Sequence, residues 1–182
     1  MKIKNMSVGI AGIFLFVAAG LPQSAVAKEI KMNLQFAGAF ITSSSLPSSL
    51  IHVQAKGSPG KAVIRGYGAS GAGVPAPAVV EDCLSGTAGV FLSVIAGEDP
   101  LVFTFQDLSL LFADGSGEIC VDLLSPTGNV EFRFDITFIG GRGRFEGATG
   151  TAVITGEAQP VSADRSFLAE TGTIVGTIIV PD

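Results

Sequence analysis

The stretch that decides the fold is Asn129-Val130-Glu131-Phe132-Arg133-Phe134-Asp135-Ile136-Thr137-Phe138-Ile139. Val130, Phe132, Phe134, Ile136 and Phe138 fall on one side of a period of two, and Glu131, Arg133, Asp135 and Thr137 fall on the other. Successive side chains of an extended chain point to opposite faces, so this spacing predicts a β-strand with one dry face and one wet face. Glu131, Arg133 and Asp135 then make a surface ladder of ion pairs, each of small worth. With the two faces inverted they would line an interior, and a carboxylate pair flanking an arginine would become an acid–base candidate.

Outward from this stretch the same period recurs. In Glu29–Phe36 the apolar residues are Ile30, Met32, Leu34 and Phe36, with polar residues between them. Shorter runs follow at Leu50–Lys56, Lys61–Tyr67, Ala78–Cys83, Val90–Ile95, Leu101–Gln106, Leu108–Phe112, Glu118–Leu123, Thr151–Ala158 and Phe167–Val180. No segment holds a helical period over three turns. Turn residues separate the runs at Gly57-Ser58-Pro59-Gly60, Gly97-Glu98-Asp99-Pro100, Asp114-Gly115-Ser116-Gly117, Ser125-Pro126-Thr127-Gly128 and Gly140–Gly150, each read as a hairpin connection. Many short antiparallel strands form a β-sandwich or a closed barrel. We take the all-β, antiparallel closed barrel, because closure removes the edges that aggregate in a chain rich in Val, Ile and Phe. Phe40–Ser49 and Gly66–Pro77 read as long loops at an open end of it.

Composition narrows the partners. The 182 residues are 47% apolar and only 15% charged, with a formal charge of -5. That composition excludes a disordered chain, and its acidic balance excludes a phosphate-backbone footprint, so no nucleic-acid partner is expected. Lys2 and Lys4, an uncharged apolar run from Met6 to Leu21, and small residues in Ala25-Val26-Ala27 spell a secretory signal peptide over residues 1–27, cleaved after Ala27. Residues 28–182 then form a single barrel domain, not membrane-spanning after cleavage, and secreted or periplasmic. Loss of Lys2 and Lys4 leaves 9 basic against 16 acidic residues, a net charge of -7. An outer-membrane barrel shares the alternation and the export signal. With no Trp and a single Tyr67, however, the chain lacks the two aromatic girdles such barrels carry. Cys83 and Cys120, an even pair in an oxidising compartment, are expected to form one disulfide; a redox pair would need a C-x-x-C spacing that is missing.

Few motifs carry chemistry. Gly66-Tyr67-Gly68-Ala69-Ser70-Gly71 spells a dinucleotide fingerprint, but Pro75 and Pro77 forbid the helix that would hold the pyrophosphate. Gly60-Lys61 is followed by Ala62 where a phosphate loop needs Ser or Thr. Asp114-Gly115-Ser116-Gly117-Glu118 offers two carboxylates, short of the six to eight oxygens that calcium takes, and reads as a turn. His52 is the only histidine and lies with Gln54 and Lys56 on a wet face, so no histidine-rich metal site and no Ser-His-Asp relay is suggested. We nominate no catalytic residue, no metal ligand and no cofactor.

One stretch is more specific. Phe138-Ile139-Gly140-Gly141-Arg142-Gly143-Arg144-Phe145-Glu146-Gly147-Ala148-Thr149-Gly150 resembles the G-G-x-G-x-F-x-G-A-T-G hairpin of the allene oxide cyclase and dirigent-protein superfamily, a likeness covering 129–180. Physically, Gly140, Gly141, Gly143, Gly147 and Gly150 permit positive φ and close backbone crossing, Phe145 plugs the core, and Ala148 is small where strands meet. The resemblance implies an antiparallel barrel of about eight strands with a pocket at its mouth, often trimeric in plant members, and it makes this a bacterial-type exported relative. The motif is structural, and the pocket residues of members with known activity lie outside it.

An apolar interior with almost no titratable groups leads to one functional expectation: non-catalytic binding of a small apolar ligand. A dirigent- or cyclase-like enzyme that confines a reactive intermediate is the rival. A structural or surface-association protein, homo-oligomeric through its barrel walls, is the third reading.

Overall fold

The computed structural model describes residues 27–41, 48–69, 80–83, 85–86, 88–95, 100–122, 128–164 and 166–182. The signal-peptide reading of residues 1–27 therefore falls almost wholly outside the described residues, as do most of the two long-loop readings. Ten strands follow one another: β1 (Lys28–Ile41), β2 (Ser48–Ser58), β3 (Ala62–Ala69), β4 (Val80–Asp82), β5 (Ala88–Ile95), β6 (Leu101–Phe105), β7 (Leu110–Asp122), β8 (Val130–Arg142), β9 (Thr149–Pro160) and β10 (Phe167–Val180). A 3-10 turn, Gly143–Phe145, joins β8 to β9.

The strands pair in the order β4-β5-β7-β6-β3-β2-β1-β10-β9-β8, and a further ladder from β7 to β8 closes the circle. Eight strands, β7-β6-β3-β2-β1-β10-β9-β8, thus form a closed antiparallel barrel. The all-β barrel expectation is met, and the sandwich alternative is excluded. β5 and β6 share one side of β7: β6 pairs along Leu110–Ala113, and β5 pairs along Ser116–Asp122. The β4–β5 hairpin is held to the outer face of β7 by the Cys83–Cys120 disulfide, whose Cα atoms are 5.7 Å apart. Gly89 makes room for it, since a Cβ there would collide with both sulfurs.

Two sequence expectations are corrected. Asp114-Gly115-Ser116-Gly117 is no hairpin turn; it lies within β7, which runs unbroken where two short strands are read from the sequence. Gly115 and Gly117 point inward, and side chains there would strike the backbone of β8 at Asp135 and Arg133 as well as Ile136 and Phe134. Small residues at these positions let two strands cross closely and leave the space above them to Phe134 and Ile136. The register between β7 and β8 shifts between Phe112 and Ala113, leaving Ile139 as an extra residue on β8. A bulge of this kind increases local twist and helps a sheet curl shut. The long-loop readings are also too wide: Phe40 and Ile41 belong to β1, Ser48 and Ser49 to β2, and Gly66–Ala69 to β3.

The interior is sealed at one end. Met32, Leu34, Phe103, Phe105, Leu111, Phe138, Phe145 and Ile178 are all fully buried, toward the end where the 3-10 turn sits. Phe145 lies in that turn with its ring centroid 4.8 Å from that of Phe105. Arg144 clamps this base. Its guanidinium carbon stands 4.9 Å and 4.7 Å from the Phe105 and Phe145 ring centroids, and its Nε pairs with Asp107 Oδ2 at 3.2 Å. Its Nη2 donates to the Pro59 carbonyl at 3.4 Å, and its backbone N–H donates to Ser109 Oγ at 3.3 Å. One side chain thereby ties the β2–β3, β6–β7 and β8–β9 turns together.

Deleting the Phe145 ring leaves a void among buried partners, so Phe145→Ala is expected to cost about 3–5 kcal/mol in urea denaturation. The double change Cys83→Ser with Cys120→Ser, which opens a covalent loop of sequence separation 37, is expected to lower stability by up to about 4 kcal/mol in the same measurement.

Candidate functional site

An inward-facing side chain in a closed ring reaches water only through an end of the ring. The half-buried inward residues Phe40, Ile51, Ile119, Val130 and Phe134 cluster toward the end opposite Phe145, where β9 passes to β10. Ile30 and Val180 are their counterparts at the rim of the base, beside the chain termini. Among the described residues the upper end is therefore an apolar mouth over a filled base.

The register places one charged residue type inside that mouth. Directly opposed residues of antiparallel strands share a face. Following opposed pairs from Val130 in the mouth gives Ala158, Glu170, Gly38, Val53, Ile64, Phe103 and Leu111, a path that winds down the tilted strands from the mouth to the base. With Val130 included, seven of these carry an apolar side chain or none; the eighth is a glutamate. Glu170 is 7% exposed, and its Oε1 has no hydrogen-bond partner. Its flanking partners Gly38 and Ala158 are the smallest the chain has, and at Gly38 a Cβ would run into the backbone of His52 and Val53. Beside it, Phe36 covers Gly172 and Phe132 covers Gly156; the two rings stack with centroids 6.3 Å apart, and Phe134 lies tilted against Phe132 at 5.8 Å. Burial against these groups raises the Glu170 carboxyl from its ordinary 4.5 to about 7, because removing a carboxylate from water disfavours its charged form.

Sequence reading gave the interior almost no titratable group, and Glu170 is one that it did not name. The signal was present: Glu170 shares the period-two face of Leu168, Ile174 and Ile178. It is obscured because Gly172 and Gly176 interrupt the apolar face of the same strand, so the alternation is weak.

The other sequence candidates lie elsewhere. Gly140, Gly141, Gly143, Phe145, Gly147, Ala148 and Gly150 surround the base. Gly140, Gly143, Gly147 and Gly150 have positive φ, while Phe145 and Ala148 are buried. Glu131, Arg133 and Asp135 face outward, with Arg133 Nη2 3.5 Å from Asp135 Oδ1 and both exposed. Glu131 Oε2 accepts the Ser85 backbone N–H at 3.0 Å and so helps hold the disulfide-bearing loop. His52 is exposed on the outer wall between Ile51 and Val53. Asp114 and Glu118 are exposed on β7, and among the described residues no three His, Cys, Asp or Glu side chains are grouped to hold a metal ion. An outer-wall concavity of about 850 Å³ near the base is lined by Gln35, Gln54, Lys56, Lys61, Gln106 and Leu108. Among the described residues no helix is long and apolar enough to cross a membrane.

No family model matches the chain, and no curated protein matches it. Among solved structures, a pterocarpan synthase dirigent protein is similar at 14% identity and a TM-score of 0.43, over 99% of this chain and 98% of that one.

The raised carboxyl has a signed consequence. A folded-state value above the ordinary one means that the native protein holds this proton more tightly than the unfolded chain does. The stability it contributes is full below about pH 4.5 and is lost as pH rises to about 7, a loss of order 3 kcal/mol at most. In urea denaturation at about pH 5 and about pH 8.5, Glu170→Gln should remove that pH-dependent loss. Equal slopes in the two proteins would show that Glu170 ionises freely.

Proposed function

We propose that this protein is an exported barrel that binds one small apolar molecule in its mouth without transforming it. The observation that supports the reading is the gradient of burial along the interior: large side chains are fully enclosed at the base, while Phe40, Ile51, Ile119, Val130 and Phe134 are only partly covered above. Apolar surface left incompletely buried inside a rigid ring is where an apolar ligand gains most from leaving water. The ring itself needs no rearrangement to receive it, which keeps the cost of ordering small.

The export reading rests on the signal-like first 27 residues and accords with the disulfide, since such bonds persist in oxidising compartments. The charges on the outer faces of β1, β2 and β8, including Lys31, Lys56 and Arg133, suit a barrel surrounded by water rather than by lipid.

The dye N-phenyl-1-naphthylamine, neutral, apolar and bright only in dry surroundings, tests the reading. One site per chain with blue-shifted emission is expected. Val130→Trp, which fills the mouth, should weaken binding by about tenfold or more, while Gln106→Trp, on the outer concavity, should leave it unchanged. Absence of binding, or sensitivity to the outer variant alone, would overturn it.

A further inference from the structure

A purely apolar pocket has no use for a carboxyl, and Glu170 is the one group on this inward path that packing does not explain. Its backbone position on β10 is fixed by ladders on both sides, to β1 and to β9, so the side chain is committed to the interior. A buried acceptor without a partner costs about 1–3 kcal/mol in a folded protein. Apolar residues of similar size would fill the same place at no such cost, as Leu168 and Ile174 do on the same face of the strand.

The surroundings decide what the carboxyl meets. β1 presents Phe36, Gly38 and Phe40, β9 presents Gly156 and Ala158, β2 presents Ile51 and Val53, and β8 presents Val130, Phe132 and Phe134. None of these titrates, and none offers a side-chain donor or acceptor. An ammonium ligand would bring three N–H donors to a site with one acceptor group, leaving donors unsatisfied in a dry place. A carboxylate ligand would bring a second negative charge. A neutral oxygen asks for one O–H donor, which a protonated carboxyl supplies and no other side chain among the described residues there does.

We propose that Glu170 is the polar contact of the mouth and that the ligand is an apolar molecule bearing one hydrogen-bond-accepting oxygen, a ketone, aldehyde, ether or alcohol, to which the carboxyl donates its proton. The assignment rests on the mouth being the binding site and adds the ligand's chemical class. Because the donor exists only in the protonated form, preference for the oxygen fades as pH rises past neutrality.

A matched pair of probes tests it: 2-acetylnaphthalene and 2-ethylnaphthalene, which differ by a carbonyl in place of a methylene. By fluorescence titration at about pH 6 the wild-type protein should prefer the ketone by about fivefold, the worth of one neutral hydrogen bond, and lose the preference by about pH 8.5. Glu170→Gln, whose amide N–H still donates, should keep the preference at both pH values. Glu170→Leu should bind both probes equally. If both bind with equal strength to wild type at about pH 6, or if the leucine variant retains the preference, the assignment of Glu170 falls while the binding reading stands. Tighter binding of 1-(2-naphthyl)ethylamine, growing with pH, would replace it with recognition of a cation by the carboxylate. If neither neutral probe binds, the binding reading fails and this one with it.

Discussion

Closure of the ring through the β7–β8 ladder is the constraint on which the rest depends. An open sheet can leave either face wet, but a closed one divides its residues into an inside and an outside with no intermediate choice. Once β7 meets β8, the alternation of every strand becomes a list of what fills the interior. Closure depends in turn on local backbone features. Gly115 and Gly117 bring β7 against β8, and the extra residue at Ile139 supplies the bend. Larger side chains at those glycines would hold the two strands apart and turn the barrel back into a sheet with two unpaired edges.

The two ends of the barrel are held in different ways. At the base, Arg144 lies against two phenylalanine rings and reaches Asp107 and Pro59. The ion pair with half-exposed Asp107 is worth little on its own, and the stacking with Phe105 and Phe145 adds more where the guanidinium is shielded from water. What the residue contributes most is convergence, because three separate turns are fixed by one planar group. At the mouth no comparable clamp exists among the described residues, and the interior there is covered by rings lying over glycines rather than by interdigitated side chains. A rigid base under a less filled mouth is the arrangement a binding barrel needs: the scaffold is set before any ligand arrives.

Much of this was legible in the sequence, and the exceptions have physical reasons. The strand from Val130 reads correctly because its apolar positions are all large and its polar positions mostly charged, so the two faces differ sharply. The disulfide reads correctly because two cysteines allow one pairing. β7 is misread as two strands because glycine, aspartate and serine are the residues of turns, and only the neighbouring strand reveals that the glycines are needed for close approach. Glu170 is missed for a related reason: glycines on the inward face of β10 weaken the pattern that would have placed a glutamate indoors. In both cases glycine hides an inward position, since a residue without a side chain cannot announce which way it points.

The shared edge of β7 leaves one further mark on the molecule. β6 reaches β3 only along Ala62–Arg65, and above it β5 leans on β7 while no ladder among the described residues joins β5 to β3. Among the described residues the hydrogen-bond ladder is therefore continuous round the base and has a lengthwise slit between β3 and β5 in the upper wall. The two strands still approach each other there, and the β5 lip is fastened from outside by the Cys83–Cys120 staple. Amide hydrogens along such a slit exchange with solvent through local parting of the lips, while those of the base exchange only when the whole fold opens. The staple consequently governs how readily the wall breathes beside the mouth, and a reducing medium would loosen the slit before it reached the core.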